Sequence, residues 1–300
     1  MHFHYPRFSR ALINVPLQLT NRDSQMIRLV HRHRFLRSRE IVTLIGGSAQ
    51  QLLRRLHLLY HHGYLERPRA QIQYYERGGS KSIVYGLGNK GGALLEKLGI
   101  SVDPISWSEK NNAVGRVYLE HALLVSDVMV ALELACQKHD GVKFIHEHEL
   151  GLPWRRQPFG WRVKIQNGFN IGVIPDRVFA LEFSDASGKT QRVHYFLEAD
   201  RGTMPVKRSN LSQTSYFRKL LAYEATWTQK IHQRILGIQR FRVLTVTSIP
   251  GRVKSLVEAC SELKRGHGLF LFADKSILSG DILSAVWQCG KPGVTGILLD

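Results

Sequence analysis

The chain is short of cysteine, of long apolar runs and of acid, and each shortage removes a class of protein. Cys136, Cys260 and Cys289 stand far apart, are odd in number and form no Cys-x-x-Cys pair. That excludes a disulfide framework and a zinc ribbon and predicts a reducing, cytoplasmic setting. No apolar stretch approaches the roughly 20 residues that a membrane span needs, so no membrane partner is expected. The opening residues, Met1-His2-Phe3-His4-Tyr5-Pro6-Arg7, lack the apolar core of a signal peptide. No segment repeats. Acid is scarce: 24 Asp and Glu stand against 42 Lys and Arg, a net charge of +18 with a pI of about 10.1. A surplus of that size predicts a polyanionic partner, most simply nucleic acid. With 43% hydrophobic and 22% charged residues in 300, the chain has enough apolar side chains for about two packed domains.

The surplus is concentrated early. Residues 1–100 hold 16 Lys and Arg against 5 Asp and Glu, a net of +11. Residues 1–18 read as a flexible arm in which Arg7 and Arg10 either touch a phosphate backbone or stay disordered. Residues 19–100 read as a winged helix-turn-helix domain. Thr20-Asn21-Arg22-Asp23 is a capping box that opens a helix with Met26, Ile27 and Val30 on one stripe. Ser38 caps a short second helix, Arg39 to Leu44, Gly46-Gly47 turns, and Ser48 caps a third that runs to His62, with Gly63 as its stop. Leu52, Leu56, Leu59 and Tyr60 face its core, while Gln50, Gln51, Arg54 and Arg55 fall on other faces. Two runs, from Tyr64 and from Ile83, flank a basic hairpin tip with Arg69, Arg77 and Lys81. A third helix of this kind fits a major groove, where Gln and Arg form two-pronged bonds to purine edges, and the wing cations sit on phosphates. A winged helix that mediates dimerisation is the competing reading, and a homodimer stays open.

Residues 101–113, with Pro104 and Asn111-Asn112, read as a linker. The domain after it, 114–275, begins with a broadly apolar helix from Val114 to Gln137 that carries Glu120, His121 and Asp127. A strand, Val142–His146, and a basic aromatic insertion with Trp154, Arg155, Arg156, Trp161 and Arg162 follow. That insertion either stacks on bases or packs its Trp on the core. Next come two strand-like runs. The first is introduced by Pro175-Asp176; the second ends in Glu198-Ala199-Asp200. Paired as a hairpin, they bring three carboxylates to one sheet edge, with Glu198 and Asp200 on one face. Three such groups repel unless a hard cation, Mg²⁺, neutralises them; otherwise Asp176 and Asp200 cap a turn and a helix. A helix over 207–236, with Lys219 and Tyr223 on one face, a strand from Phe241, a helix from Arg252 and a strand at Leu269–Phe272 complete a mixed sheet flanked by helices. Residues 276–300 form a C-terminal extension that packs over the sheet edge.

This order resembles the PD-(D/E)XK nuclease-like core, whose central hairpin carries Pro-Asp and then Glu-x-Lys. Pro175-Asp176 and Glu198-Ala199-Asp200 stand at those places, with Asp200 where the lysine would be. The resemblance implies catalytic roles for Asp176, Glu198 and Asp200, with Mg²⁺ held by the same three. It makes Lys219 a migrated lysine, Glu120 the helix acid, and Arg201 a second cation near phosphate. The whole chain, over about residues 18–250, also resembles the replication-relaxation family of plasmids and mobile elements. That likeness lies in Leu19-Thr20-Asn21-Arg22-Asp23, Gly63-Tyr64-Leu65-Glu66-Arg67, Glu120-His121 with Asp127, and Leu197-Glu198-Ala199-Asp200-Arg201-Gly202-Thr203. Met204 departs from the acid usual there. The resemblance implies a DNA-binding role in plasmid replication. A Mg²⁺-dependent endonuclease or nickase is the alternative, and a transcriptional regulator with a dimerising second domain is a third.

Overall fold

The computed structural model describes residues 7–11, 16–72, 82–152, 159–165, 168–185 and 187–299. Arg77, Lys81 and the hairpin tip between them, like Trp154, Arg155 and Arg156, lie outside the described residues. The chain forms two compact units, residues 1–126 and 127–300.

In the first unit, helix α1 (Asn21–His33) starts at the expected box: Asp23 N–H donates to Thr20 Oγ1 at 3.2 Å and the Asp23 carboxylate accepts from Thr20 N–H at 2.7 Å. A short strand, β1 (Phe35–Arg37), leads into α2 (Ser38–Ile45). After the glycine turn, Ser48 caps α3 (Ala49–His61). Its end is a Schellman motif: Gly63, at φ 85°, donates to the Tyr60 carbonyl, and Tyr64 donates to that of Leu59. Strands β2 (Leu65–Glu66) and β3 (Val84–Leu87) join β1 in an antiparallel sheet ordered β1-β3-β2. Gly86 pairs with Phe35, and a Cβ there would meet the Phe35 ring at 2.8 Å and Asn111 at 2.9 Å.

Helix α4 (Asn89–Lys97) follows. Inside the stretch that the sequence assigns to a linker, α5 (Trp107–Asn112) docks on the sheet through buried Asn111, which donates to the Leu87 carbonyl and accepts from Arg34. Helix α6 (Arg116–Cys136) contains the boundary between the units. Leu119, Ala122 and Leu123 pack with Phe35 and Val84, and Ser126 Oγ donates to the Phe35 carbonyl.

His61 makes this unit acid-sensitive. Its ring is 5% exposed and its Nδ1 accepts the Ala11 N–H at 3.0 Å. Burial first, then the charges of His57, Arg67 and Arg10, pull its pKa from 6.5 to about 4. A histidine with a depressed folded pKa contributes stability above its unfolded value and loses it as pH falls towards the folded one. Between pH 6.5 and 5 the unit is expected to lose about 2 kcal/mol. The His61→Asn variant keeps an acceptor without the titration, and its melting temperature is expected to fall less over the same range.

In the second unit, strands β4 (Val142–His146), β7 (Arg177–Ser184), β8 (Thr190–Asp200), β9 (Phe241–Thr247), β10 (Phe270–Asp274), β11 (Trp287–Cys289) and β12 (Thr295–Gly296) build one mixed sheet. The small strands β5 (Trp161–Lys164) and β6 (Asn170–Val173) pair apart from it. The order is β12-β11-β10-β9-β8-β7-β4; β8, β9 and β10 run parallel and the outer pairs antiparallel. The expected hairpin is β7–β8. Residues 287–296 add two strands to one edge, so the tail extends the sheet.

The helix expected over 207–236 is shorter. It comprises α7 (Tyr216–Thr228) and α8 (Ile231–Arg234), separated at Lys230, whose φ is 54°. Before Ser215, which caps α7, Asn210 Oδ1 binds the Ser212 N–H and Arg218 holds the Ser212 carbonyl. Such local bonds compete with the helix ladder. Helix α9 (Arg252–Ser261) joins α7 over one sheet face; Leu220, Tyr223 and Leu256 meet Phe196, Val243 and Phe272 in the core. Trp161 packs into this core and donates to Thr226 Oγ1 at 2.8 Å, so this Trp of the insertion is a core residue.

Candidate functional site

Each unit carries its own candidate surface. On α3, Gln50, Gln51 and Arg54 are exposed, and their side chains meet no polar partner among the described residues. They follow the Ser48 cap directly, so they occupy the first turn and a half of the helix. Arg55, one position on, turns inward: its Nε and Nη2 donate to the two oxygens of fully buried Asp23 at 2.9 and 2.5 Å, and Nη2 also reaches the Gln18 carbonyl. Burial alone would raise the Asp23 carboxyl; Arg55 and Thr20 overcome it and hold the group below its ordinary value. Arg55 therefore ties α3 to the start of α1.

Arg69 is exposed on a short 3-10 turn after β2. Arg10 is bound within the protein, to Glu66 at 2.5 Å and to the Tyr60 and Leu65 carbonyls. Arg22, which the spacing of α3 does not bring to notice, is exposed and lies 3.3 Å from where a Gly47 Cβ would stand, beside the turn into α3. Glu120 pairs with Arg116 on its own helix at 2.8 Å and belongs to the first unit.

In the second unit the hairpin places Asp176 just before β7 and Glu198 and Asp200 at the end of β8. Asp176 donates its N–H to the Leu197 carbonyl, and its carboxylate accepts the Ala199 N–H at 2.7 Å. Glu198, 2% exposed, accepts from Lys219 Nζ at 2.5 Å and from the Tyr223 hydroxyl at 2.6 Å. Lys219 and Tyr223, one turn apart on α7, thus reach the same carboxylate, one oxygen each.

Asp200 shares a strand face with Glu198 but has other partners. Arg252 at the start of α9 grips it with two nitrogens while also donating to the Met204 carbonyl, and Thr247 Oγ1 donates at 2.9 Å. Gly202 makes the turn between them: at φ 73°, a Cβ there would fall 2.2 Å from Ile249. Arg252 has no sequence signal, because it lies 52 residues from its partner and outside any motif around Asp200.

The electrostatics follow from this packing. Burial raises the Glu198 carboxyl and Asp176 adds to the rise, while Lys219 and Tyr223 draw it down without cancelling it. Burial works against the Lys219 charge, but Glu198, Asp176 and Asp200 outweigh it and hold the ammonium above its ordinary value. The phenols of Tyr216 and Tyr223 are driven well up, by burial and then by Glu198. Three carboxylates are thus met by two fixed cations.

This arrangement does not fit the Mg²⁺ site that the resemblance implies. Both Glu198 oxygens face donors, and Asp200 is enclosed by Arg252 and Thr247. Among the described residues no group of three or more His, Cys, Asp or Glu is disposed to hold a metal ion. Also among them, no helix is long and apolar enough to cross a membrane.

Compared with known proteins, residues 27–240 match one family, described as replication-relaxation. No protein of curated function and no solved structure matches the chain.

Proposed function

The chain belongs to the replication-relaxation family, and from that premise we propose that it is a DNA-binding protein of a mobile element's replication system, which binds duplex through a winged helix-turn-helix within residues 19–100. The observation that carries this reading is the outer face of α3, where Gln50, Gln51 and Arg54 stand exposed and uncommitted immediately after a helix cap. The order of α1, α2, α3 and the three short strands supports it, as does the early concentration of positive charge. Gln50 and Gln51 read base edges; Arg54, Arg22 and Arg69 hold phosphates. Residues 114–275 are a PD-(D/E)XK-like domain, supported by Asp176 at the entry to β7 and Glu198 near the end of the paired strand β8. Its carboxylates are held by Lys219 and Arg252, so it grips DNA or a partner without cutting.

The test is the salt dependence of duplex binding. Each phosphate contact contributes about 0.9 to the slope of log K against log salt. Arg54→Ala is expected to weaken binding and to lower that slope by about 0.9, with an unchanged melting temperature. An unchanged slope removes α3 from the interface. The nuclease reading has one observation in its favour: Lys219 reaches Glu198 from α7, replacing the lysine that Asp200 displaces. Supercoiled plasmid incubated with Mg²⁺ separates the two. Binding alone leaves it intact; nicking by wild type but not by Asp176→Ala would install the nuclease in its place.

A further inference from the structure

The end of β8 away from the carboxylates opens into a groove with a different chemistry. Gln191, at the start of β8, lies seven residues before Glu198, or about 23 Å along an extended strand. The groove is a cavity of about 410 Å³, lined by Gln191, Trp227, Gln239, Arg240 and Arg242 among others, and among the described residues no Asp or Glu lines it. Trp227 lies in the last turn of α7 and is 40% exposed, a large indole left at the surface. Its carbonyl accepts from Lys230, whose left-handed backbone closes the helix, so the ring is carried on a fixed turn. Arg240 is exposed and Arg242 half-buried, and neither guanidinium meets a carboxylate among the described residues. Glu224, on the same helix as Trp227, is buried and accepts the Arg265 N–H.

These groups have one chemistry in common. An indole face stacks on any nucleobase; a guanidinium without a counter-ion binds phosphate; carboxamides bond to base edges. The cavity lies at the lower end of the range of small-ligand sites, about 300–1,000 Å³. A single nucleotide fits such a volume and a duplex does not. We propose that this groove binds unpaired DNA, with one base stacked on Trp227 and its phosphate on Arg240. It lies within the second unit, whereas α3 belongs to the first. The family match ends at residue 240, within the groove.

The experiment uses the full chain and two labelled probes, oligothymidylate and a duplex, with fluorescence anisotropy as the readout. Trp227→Ala is expected to weaken oligothymidylate binding about tenfold, and Trp227→Phe, which keeps a stacking face, to restore most of it. Arg240→Ala, at an exposed position that the fold does not need, is expected to weaken the same binding and to lower its salt slope by about 0.7. Neither change should alter duplex affinity. Wild-type affinity for oligothymidylate in Trp227→Ala or in Arg240→Ala overturns the proposal. Polyglutamate competing as well as oligothymidylate also overturns it, since the surface would then be a general anion binder. Loss of duplex binding in Arg54→Ala with intact oligothymidylate binding supports both sites. Oligothymidylate binding in a wild type with no duplex affinity sinks the α3 reading and leaves this one standing.

Discussion

Replacing Arg55 by alanine is expected to destabilise the first unit by about 3–4 kcal/mol, while replacing its neighbour Arg54 leaves stability within about 0.5 kcal/mol of wild type. The contrast follows from what each side chain touches. Asp23 is fully buried, and four donors converge on it: the N–H and hydroxyl of Thr20 and two guanidinium nitrogens of Arg55. Without Arg55, Thr20 remains, but its two neutral donors do not compensate a carboxylate removed from water. The charge that made the capping box strong then becomes a cost. Arg55→Lys should recover only part of the loss, because an ammonium cannot span both oxygens.

The pH dependence identifies the cause. Arg55 holds the Asp23 carboxyl below its ordinary 3.8. A depressed carboxylate contributes stability above its unfolded pKa and loses it as pH falls through the folded one. The gap between wild type and Arg55→Ala should therefore be full at neutral pH and close below about pH 3.8. Calorimetric melting of the full chain at several pH values measures it. Equal melting temperatures at pH 7, with weaker DNA binding in Arg55→Ala, would return Arg55 to the DNA surface and show that the Asp23 pair is not a tie in solution.

Arg54 and Arg55 also mark how far the sequence goes. Strong signals within one turn of helix or one strand were legible: the box at Thr20–Asp23, the cap at Ser48, the stop at Gly63, the hairpin that brings Asp176 beside β8. The sidedness of two adjacent arginines was not, because it depends on a carboxylate 32 residues earlier. Strand β1 is three residues long and has no periodicity to detect; it exists because Val84–Gly86 supplies its hydrogen bonds. Helix α5 did leave a trace, since Ser106 and Glu109 have the spacing of a cap and Ser106 Oγ accepts from the Glu109 N–H. The Pro and Asn residues around it pointed to a linker instead. At the carboxylate cluster, Lys219 and Tyr223 were legible from their shared helical face. What could not be read was the fate of Asp200, since charge neutralisation was expected from a metal and the fold supplies it from α9.

That substitution of an internal cation for an external one gives the second large effect. Arg252→Ala is expected to lower the stability of the second unit by about 3–5 kcal/mol. Asp200 is 6% exposed, and the Arg252 side chain that neutralises it is itself only 12% exposed. Removing it leaves Asp200 with Thr247 alone, on the same strand face as Glu198, and frees the Met204 carbonyl that fixes the turn after β8. The double variant Arg252→Ala/Asp200→Ala removes the stranded charge with its partner, so it should be more stable than Arg252→Ala alone; the excess over additivity is the coupling of the pair. Mg²⁺ supplies the decisive control. A ligand that binds only the native state raises the melting temperature by mass action. With both Glu198 oxygens on Lys219 and Tyr223, and Asp200 on Arg252, millimolar Mg²⁺ should leave wild-type melting unchanged. If Mg²⁺ raises it, Asp200 exchanges Arg252 for a cation in solution, and the second unit regains the metal chemistry that its sequence announces.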